Sequence, residues 1–461
     1  MDYTRKVAEF VVQASFGSIP PGALEVAKTA LLDSVGVILA GCKEESARIC
    51  AKLAYEEGAR PEATVIGQGF KSSTLMAAFS NGTAGHALDY DHSFSLMGQP
   101  TAGLVPAILA LGERLGVNGR DILVACVAGF EVTAKISRSM PDLSSHGRWH
   151  STATVGSLGT AVACAKLLRL DVQAIQWTLG IASSMASGIV ANFATMTKPL
   201  HAGLAARNGV LAARLAESGF NANPMMLSEQ RGFYDAFCRD LPFDLHPIEE
   251  LGSTFDLVER GIKIKPYPCG GLTHTAIDAV LKMRDQHKVS PQSVKTITVG
   301  VTPHVFNTIS NRLPETGLQG KFSMPYILAR ALIDGKLPLE TFSEQAIRDP
   351  LVCSIAEKVE MAVDPDIRET KEGSRPCKVT IRQNDGRTLS ERIVFPKGSL
   401  QAPMSSEELR MKFTECACQS LTRDAAAQVT KLLDHLEELE QLDPLFKLLI
   451  GARHDYENLE F

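Results

Sequence analysis

Four short stretches of this chain hold side chains able to do chemistry. Residues 86–92 read His-Ala-Leu-Asp-Tyr-Asp-His, two imidazoles and two carboxylates within seven positions. On a helix, His86 and Asp89 share a face at i, i+3. Three readings fit: an acid–base cluster, a metal site of the form His-x2-Asp-x2-His, and a helix end whose polar residues only hydrogen-bond. Residues 146–152, His-Gly-Arg-Trp-His-Ser-Thr, lead into a helix of small residues. Arg148 and two histidines at a helix N-terminus suit an anion; the plain alternative is a capping turn. Lys198-Pro199-Leu200-His201 sets one cation at the edge of an Ala-rich helix, where it either reaches solvent or faces a polar cleft. Residues 263–274, Lys-Ile-Lys-Pro-Tyr-Pro-Cys-Gly-Gly-Leu-Thr-His, form a turn before a helix. Lys265, Cys269 and His274 either project into a cleft or belong to an ordinary interdomain turn.

The cations Arg148, Lys198 and Lys265 together point to a small anionic molecule. Asp89, His150 and Tyr326 are available for proton transfer. Such a set suits chemistry at a carbon next to a carboxylate. Fixed cations there stabilise the developing negative charge while a positioned base takes the proton. No P-loop, dinucleotide glycine fingerprint or HExxH sequence points elsewhere.

The elements that position these groups are mostly helical at both ends of the chain. Residues 22–40, 72–87, 101–116, 119–138, 151–168 and 202–218 carry Ala, Leu, Gly and Val at helical spacing, with Gly219 as a C-cap. Residues 172–197 lack charge but are too rich in Ser, Gly, Gln and Asn for a membrane span, and read as a buried helix. From about residue 259 the pattern changes. Lys295–Val301 and Lys358–Val363 alternate as strands, and residues 377–394 read as a hairpin around Asn384-Asp385-Gly386. Helices near 271–285 and 323–335 are interleaved. After residue 396 helices return, at Glu407 behind a Ser405 or Ser406 cap and over 423–441. The expected fold is mainly α: a large all-helical domain built from residues 1–258 and 397–461, with a smaller α+β domain, residues 259–396, inserted.

Length and composition agree with a multidomain globular protein. The chain has 461 residues, 45% hydrophobic and 21% charged, with a net charge of −5. That balance argues against a nucleic-acid binder. The ten cysteines contain no Cys-x-x-Cys pair and read mostly as buried thiols of a reducing compartment. The N-terminus has no apolar secretory segment, so a cytoplasmic protein without a membrane partner is expected.

Several ordered motifs resemble one family. HALDYDH (86–92), GRWHSTATVGSLGTAVACAKLL (147–168), TKPLHAGLAARNGVLAARLAESGF (197–220), KPYPCGGLTH (265–274) and FSMPY (322–326) are similar to those of the MmgE/PrpD superfamily. That superfamily includes 2-methylcitrate dehydratase, cis-aconitate decarboxylase and iminodisuccinate epimerase. The resemblance implies a homodimer using neither a metal nor an organic cofactor, with the α+β domain as a lid over a site for a small carboxylate. By position, Asp89 looks like the first aspartate of the family's D-[YF]-D motif, and His150 like its catalytic histidine. Lys198 and Lys265 look like its substrate lysines and Tyr326 like its lid tyrosine. Ser93 stands where the decarboxylases use threonine. Two departures stand out. Gln99 occupies a position that is histidine in many relatives, and an amide does not titrate. Gly270 replaces another site histidine, for which His274 is a candidate substitute one helical turn later. The resemblance implies a lyase acting on a di- or tricarboxylate, with a dicarboxylate epimerase as the second reading and a catalytically silent carboxylate-binding protein as the third.

Overall fold

The computed structural model describes residues 2–94, 97–141, 143, 149–228, 230–239, 241–371 and 373–452. The protein is mainly helical, and its chain divides into two compact units, Met1–Ile262 with Ser405–Phe461, and Lys263–Met404.

The first unit is built on helices Pro21–Gly41, Thr74–Ala87, Thr101–Leu115, Gly119–Arg138, Thr154–Leu167 and Thr197–Glu217. Several of them have weak amphipathicity because they are buried on most sides: every residue of Thr154–Leu167 except Lys166 is inside. Small residues let these helices approach closely. One close crossing joins Thr74–Ala87 to Thr197–Glu217. A Cβ added at Gly82 would lie 2.9 Å from the Ala202 carbonyl oxygen and from the Gly203 Cα. One added at Gly203 would run into the Thr83 hydroxyl and sit 2.5 Å from the Phe79 carbonyl oxygen. The C-terminal segment joins the same unit through the helix Ser406–Ala417, which packs on Pro21–Gly41. Ser405 caps that helix in a full capping box with Glu408.

The second unit holds a four-stranded sheet. Val294–Val301 pairs in parallel with Val359–Val363 and antiparallel with Cys377–Gln383, which continues antiparallel to Thr388–Ile393. The hairpin turn is closed by the Arg387 carbonyl accepting from the Gln383 amide at 2.8 Å, with Gly386 at φ +90°. The helix His274–His287 packs on the hairpin strands, Met324–Asp334 on Val359–Val363, and the two helices touch each other.

Two sequence expectations need correction. The uncharged run 172–197 is not one helix. The helix Val172–Met185 stops at Ala186, whose backbone is extended, and Gly188 takes φ +100°. The next long helix already begins at Thr197, because Pro199 is compatible with a helix's first turn. Much of 183–197 is partly exposed rather than buried. The tail helix is also shorter than expected: Arg423–Asp434 ends at His435, and a single 3-10 turn, Leu436–Glu438, follows. All ten cysteines are free thiols, eight of them buried. Among the described residues, no helix is long and apolar enough to cross a membrane.

The glycine crossing gives a direct test. Gly203→Ala should cost about 1–3 kcal/mol of stability, the usual penalty of overpacking a tight core. Urea denaturation of the purified variant measures it; an unchanged midpoint would show that the crossing has slack.

Candidate active site

The chemistry-bearing residues of the first unit meet where the helices Thr74–Ala87 and Thr197–Glu217 cross. His86 lies in the last turn of one, Lys198 and His201 in the first turn of the other. After Ala87 the chain turns through Asp89, which takes the left-handed conformation at φ +52°, one that aspartate tolerates better than most residues. This turn carries Asp91 back to His86, whose Nδ1 lies 3.0 and 3.1 Å from the two Asp91 oxygens. The Lys198 ammonium donates to Asp89 Oδ1 at 2.6 Å and lies 3.1 Å from His86 Nε2. All four residues are buried.

His150 completes the cluster. Its ring stacks on that of His86, with centroids 5.5 Å apart, and its Nδ1 is 3.0 Å from that of His201. The Phe193 ring meets His150 edge-on at 4.9 Å and lies 5.6 Å from the Lys198 ammonium. The His150 backbone N–H donates to the Gly188 carbonyl at 2.9 Å. Only glycine serves at 188: besides its positive φ, a Cβ there would lie 3.2 Å from the His201 ring.

Burial sets the charge state. It holds His150 well below the ordinary imidazole range, and repulsion from His86, Lys198 and His201 adds to the effect. His86 is lowered by burial and by Lys198, with Asp91 opposing. His201 is brought down to about 4 by burial, His86 and Lys198. The cluster therefore presents uncharged imidazoles beside one ammonium at neutral pH.

The other expected site residues divide as follows. Gln99 is bound to Thr152, its backbone N–H donating to the Thr152 hydroxyl at 3.2 Å and its side-chain oxygen accepting from that hydroxyl at 3.3 Å. Ser93 is partly exposed directly after the 86–92 motif. Arg148 lies outside the described residues. The His-x2-Asp-x2-His metal reading fails at His92, which points away, its Nδ1 2.9 Å from Asp33 Oδ2 and its Nε2 2.7 Å from the Thr101 hydroxyl. His86, Asp89 and Asp91 do lie close enough to share an ion. The Lys198 ammonium, however, already contacts both His86 Nε2 and Asp89 Oδ1, the place such an ion would take.

Lys265, His274 and Tyr326 belong to the second unit. Lys265 is fully buried, and its Cε lies 3.7 Å from where a Gly271 Cβ would stand. Lys263 is beside it, donating to the Gly271 carbonyl at 3.2 Å; burial and repulsion from Lys265 bring its ammonium down to about 8. His274, the candidate substitute for a histidine at 270, opens the helix His274–His287. Its ring is fully buried edge-on to Tyr267, and Nε2 is 3.3 Å from the Cys269 carbonyl. Gly270 itself has little room, since a Cβ would sit 3.1 Å from the Phe322 ring. Tyr326 is wholly enclosed; its hydroxyl donates to the Thr341 carbonyl and accepts from Arg330 Nε. These contacts satisfy the phenol within its own unit. Conversely, His201 and Phe193 belong to the cluster and were not anticipated as site residues. The histidine in the Lys-Pro-Leu-His stretch, three residues after Lys198, was the available signal.

Residues 5–246 match the MmgE/PrpD N-terminal domain and residues 267–438 the MmgE/PrpD C-terminal domain. The chain belongs to the MmgE/PrpD family. Among curated members it is 29% identical to cis-aconitate decarboxylase of Mus musculus, over 97% of this chain and 93% of that protein. It is 28% identical to cis-aconitate decarboxylase of Aspergillus terreus, over 97% and 95%. A probable 2-methylcitrate dehydratase of Saccharomyces cerevisiae is 24% identical over 82% and 78%. These MmgE/PrpD relatives are lyases by name.

The depressed histidines imply a pH signature in stability. His201 has a folded value near 4 against an unfolded value of about 6.5, so between these the unfolded chain binds more protons. Its contribution should therefore be lost as pH falls from about 6.5 toward 4. Glu131, pushed up to about 7 by burial, gives the opposite slope between about 4.5 and 7. The effect is accordingly read as a difference. Urea titrations of wild type and His201→Asn should show a shallower loss of stability on acidification in the variant; parallel curves would place His201 in solvent-like surroundings.

Proposed function

We propose that this chain is a lyase that works by proton transfer at a carbon next to a carboxylate of a small di- or tricarboxylate. The observation that carries the reading is His150: a buried imidazole held uncharged, among Lys198, Asp89 and two further histidines. An uncharged imidazole is a base ready to accept a proton. The Lys198 ammonium, fixed by Asp89, supplies the positive charge that favours a carboxylate and the enediolate it becomes on losing the neighbouring proton. In loss of water, His150 takes that proton, the electron pair forms the double bond, and hydroxide leaves the adjacent carbon. Decarboxylation would instead need a protonated group to quench the carbanion left by carbon dioxide. An uncharged His150 starts as the base that dehydration needs, and the proton it gains is then available to the departing hydroxide, which favours dehydration over decarboxylation. Lys265 adds a second buried cation in its own unit as a carboxylate ligand.

Gln99 also motivates a second reading. A site with one uncharged base and no titratable group at 99 also suits an isomerase, which expels no leaving group; a second acid–base group must then supply a proton to the opposite face of the same carbon.

Variant kinetics on a panel of citrate, methylcitrate, cis-aconitate, malate and iminodisuccinate test the assignment. His150→Ala should abolish turnover without loss of fold by circular dichroism; surviving activity would mean another base. Lys198→Ala should lower kcat/KM by about 10-fold or more, the scale of losing a charged hydrogen bond to the substrate. Unchanged kinetics would place Lys198 outside the site.

A further inference from the structure

We propose that Asp91 and His86 are positioning residues: a buried dyad that fixes one tautomer of His86 so that its ring holds the Lys198 ammonium in place. An ammonium has three donors and no lone pair. Its 2.6 Å donation to Asp89 marks Lys198 as the charged partner. The 3.1 Å approach of Lys198 Nζ to His86 Nε2 is then a hydrogen bond only if Nε2 carries the lone pair. The proton of the neutral ring must sit on Nδ1, where both Asp91 oxygens stand to accept it at 3.0 and 3.1 Å. The chain of donors thus runs Lys198 to His86 to Asp91, with Asp89 taking a second Lys198 hydrogen.

The opposite tautomer would set an Nε2–H against the ammonium, donor against donor, and would leave Nδ1 as an acceptor facing a carboxylate. Both faults are expensive in a buried site. Asp91 therefore acts on the reaction through two other groups. It holds His86 in the tautomer that accepts from Lys198, and its negative charge offsets the ammonium felt by the stacked rings of His86 and His150. The groups facing His86 are Asp91, Asp89, Lys198 and His150, with His201 beyond His150. The tautomer follows from this geometry alone; the consequence for catalysis rests on the function proposed above.

Two readouts separate these. Nitrogen-15 NMR of the histidine-labelled protein, with the His86 signals assigned by their loss in His86→Asn, should give a protonated Nδ1 and an unprotonated Nε2 across pH 6–9. Asp91→Asn should mix or reverse this tautomer, because an amide can donate to Nδ1 as well as accept. A protonated Nε2 in the wild type would overturn the proposal whether or not a substrate has been found. In kinetics, Asp91→Asn should lower kcat/KM about 10- to 100-fold, the range for removing a group that orients a reactive one. It should also move the acid limb of the pH profile to lower pH, since imidazoles beside Lys198 then lose a compensating charge. Asp91→Glu should recover part of the loss. A merely structural role would lower activity without moving the limb, and that result would overturn the positioning role. A wild type inert toward every carboxylate would overturn the proposed function and leave the tautomer to the NMR.

Discussion

Everything in the first unit's site depends on burying one ammonium. Moving an unpaired lysine out of water costs far more than a single contact returns, so its partners must be placed in advance. Lys198 receives an Asp89 oxygen at 2.6 Å, the lone-pair side of His86 at 3.1 Å and an aromatic ring face. Removing one partner would leave a buried charge with inadequate compensation. This requirement explains why its histidines stay uncharged, since each lies close to a cation that a second positive charge would oppose.

The partners are brought within reach by backbone rather than by side-chain reach. The Gly82–Gly203 crossing lets two helices approach so closely that the last turn of one faces the first turn of the other. Asp89 in the left-handed region returns the chain to His86, and Gly188 lets it pass over the His150–His201 pair. A second buried network stiffens the same loop from behind. Asp33 binds His92 and Lys412, and Lys412 also donates to the Tyr90 carbonyl at 2.9 Å. Lys412 comes from the C-terminal segment, so that segment helps fix the Asp89–Asp91 turn.

Much of this was legible before the structure. Helical spacing, the Asn-Asp-Gly hairpin and the Ser405 cap are local signals, and local signals place elements well. The uncharged run 172–197 misled because small polar residues give little punctuation; the helix ends at the extended Ala186, and Gly188 and Ala194 then take positive φ. The helix carrying Lys198 begins before its apolar pattern does, so Lys198 read as lying at the edge of that helix rather than within it. His86, Asp91 and His201 were visible as residue types, yet nothing in their spacing says that a lysine 112 positions away from His86 bonds to it. The motif around Tyr326 and the proximity of His274 to Gly270 suggested reactive groups. Both lie buried in the second unit, Tyr326 bonded to the Thr341 carbonyl and His274 beside the Cys269 carbonyl. Sequence spacing cannot report such burial, because it depends on which distant residues pack against the site.

The central claim is that His150, uncharged beside Lys198, removes a proton from the carbon next to a carboxylate. Proton NMR of wild type and His150→Ala with the carboxylate panel in deuterium oxide tests it most directly. The account predicts that, for at least one compound, the wild type releases water or exchanges that hydrogen for deuterium, and that the variant does neither. Product formation gives the lyase, and exchange without net breakdown gives the isomerase. Loss of carbon dioxide with no prior exchange, or activity that persists in the variant, would contradict the account.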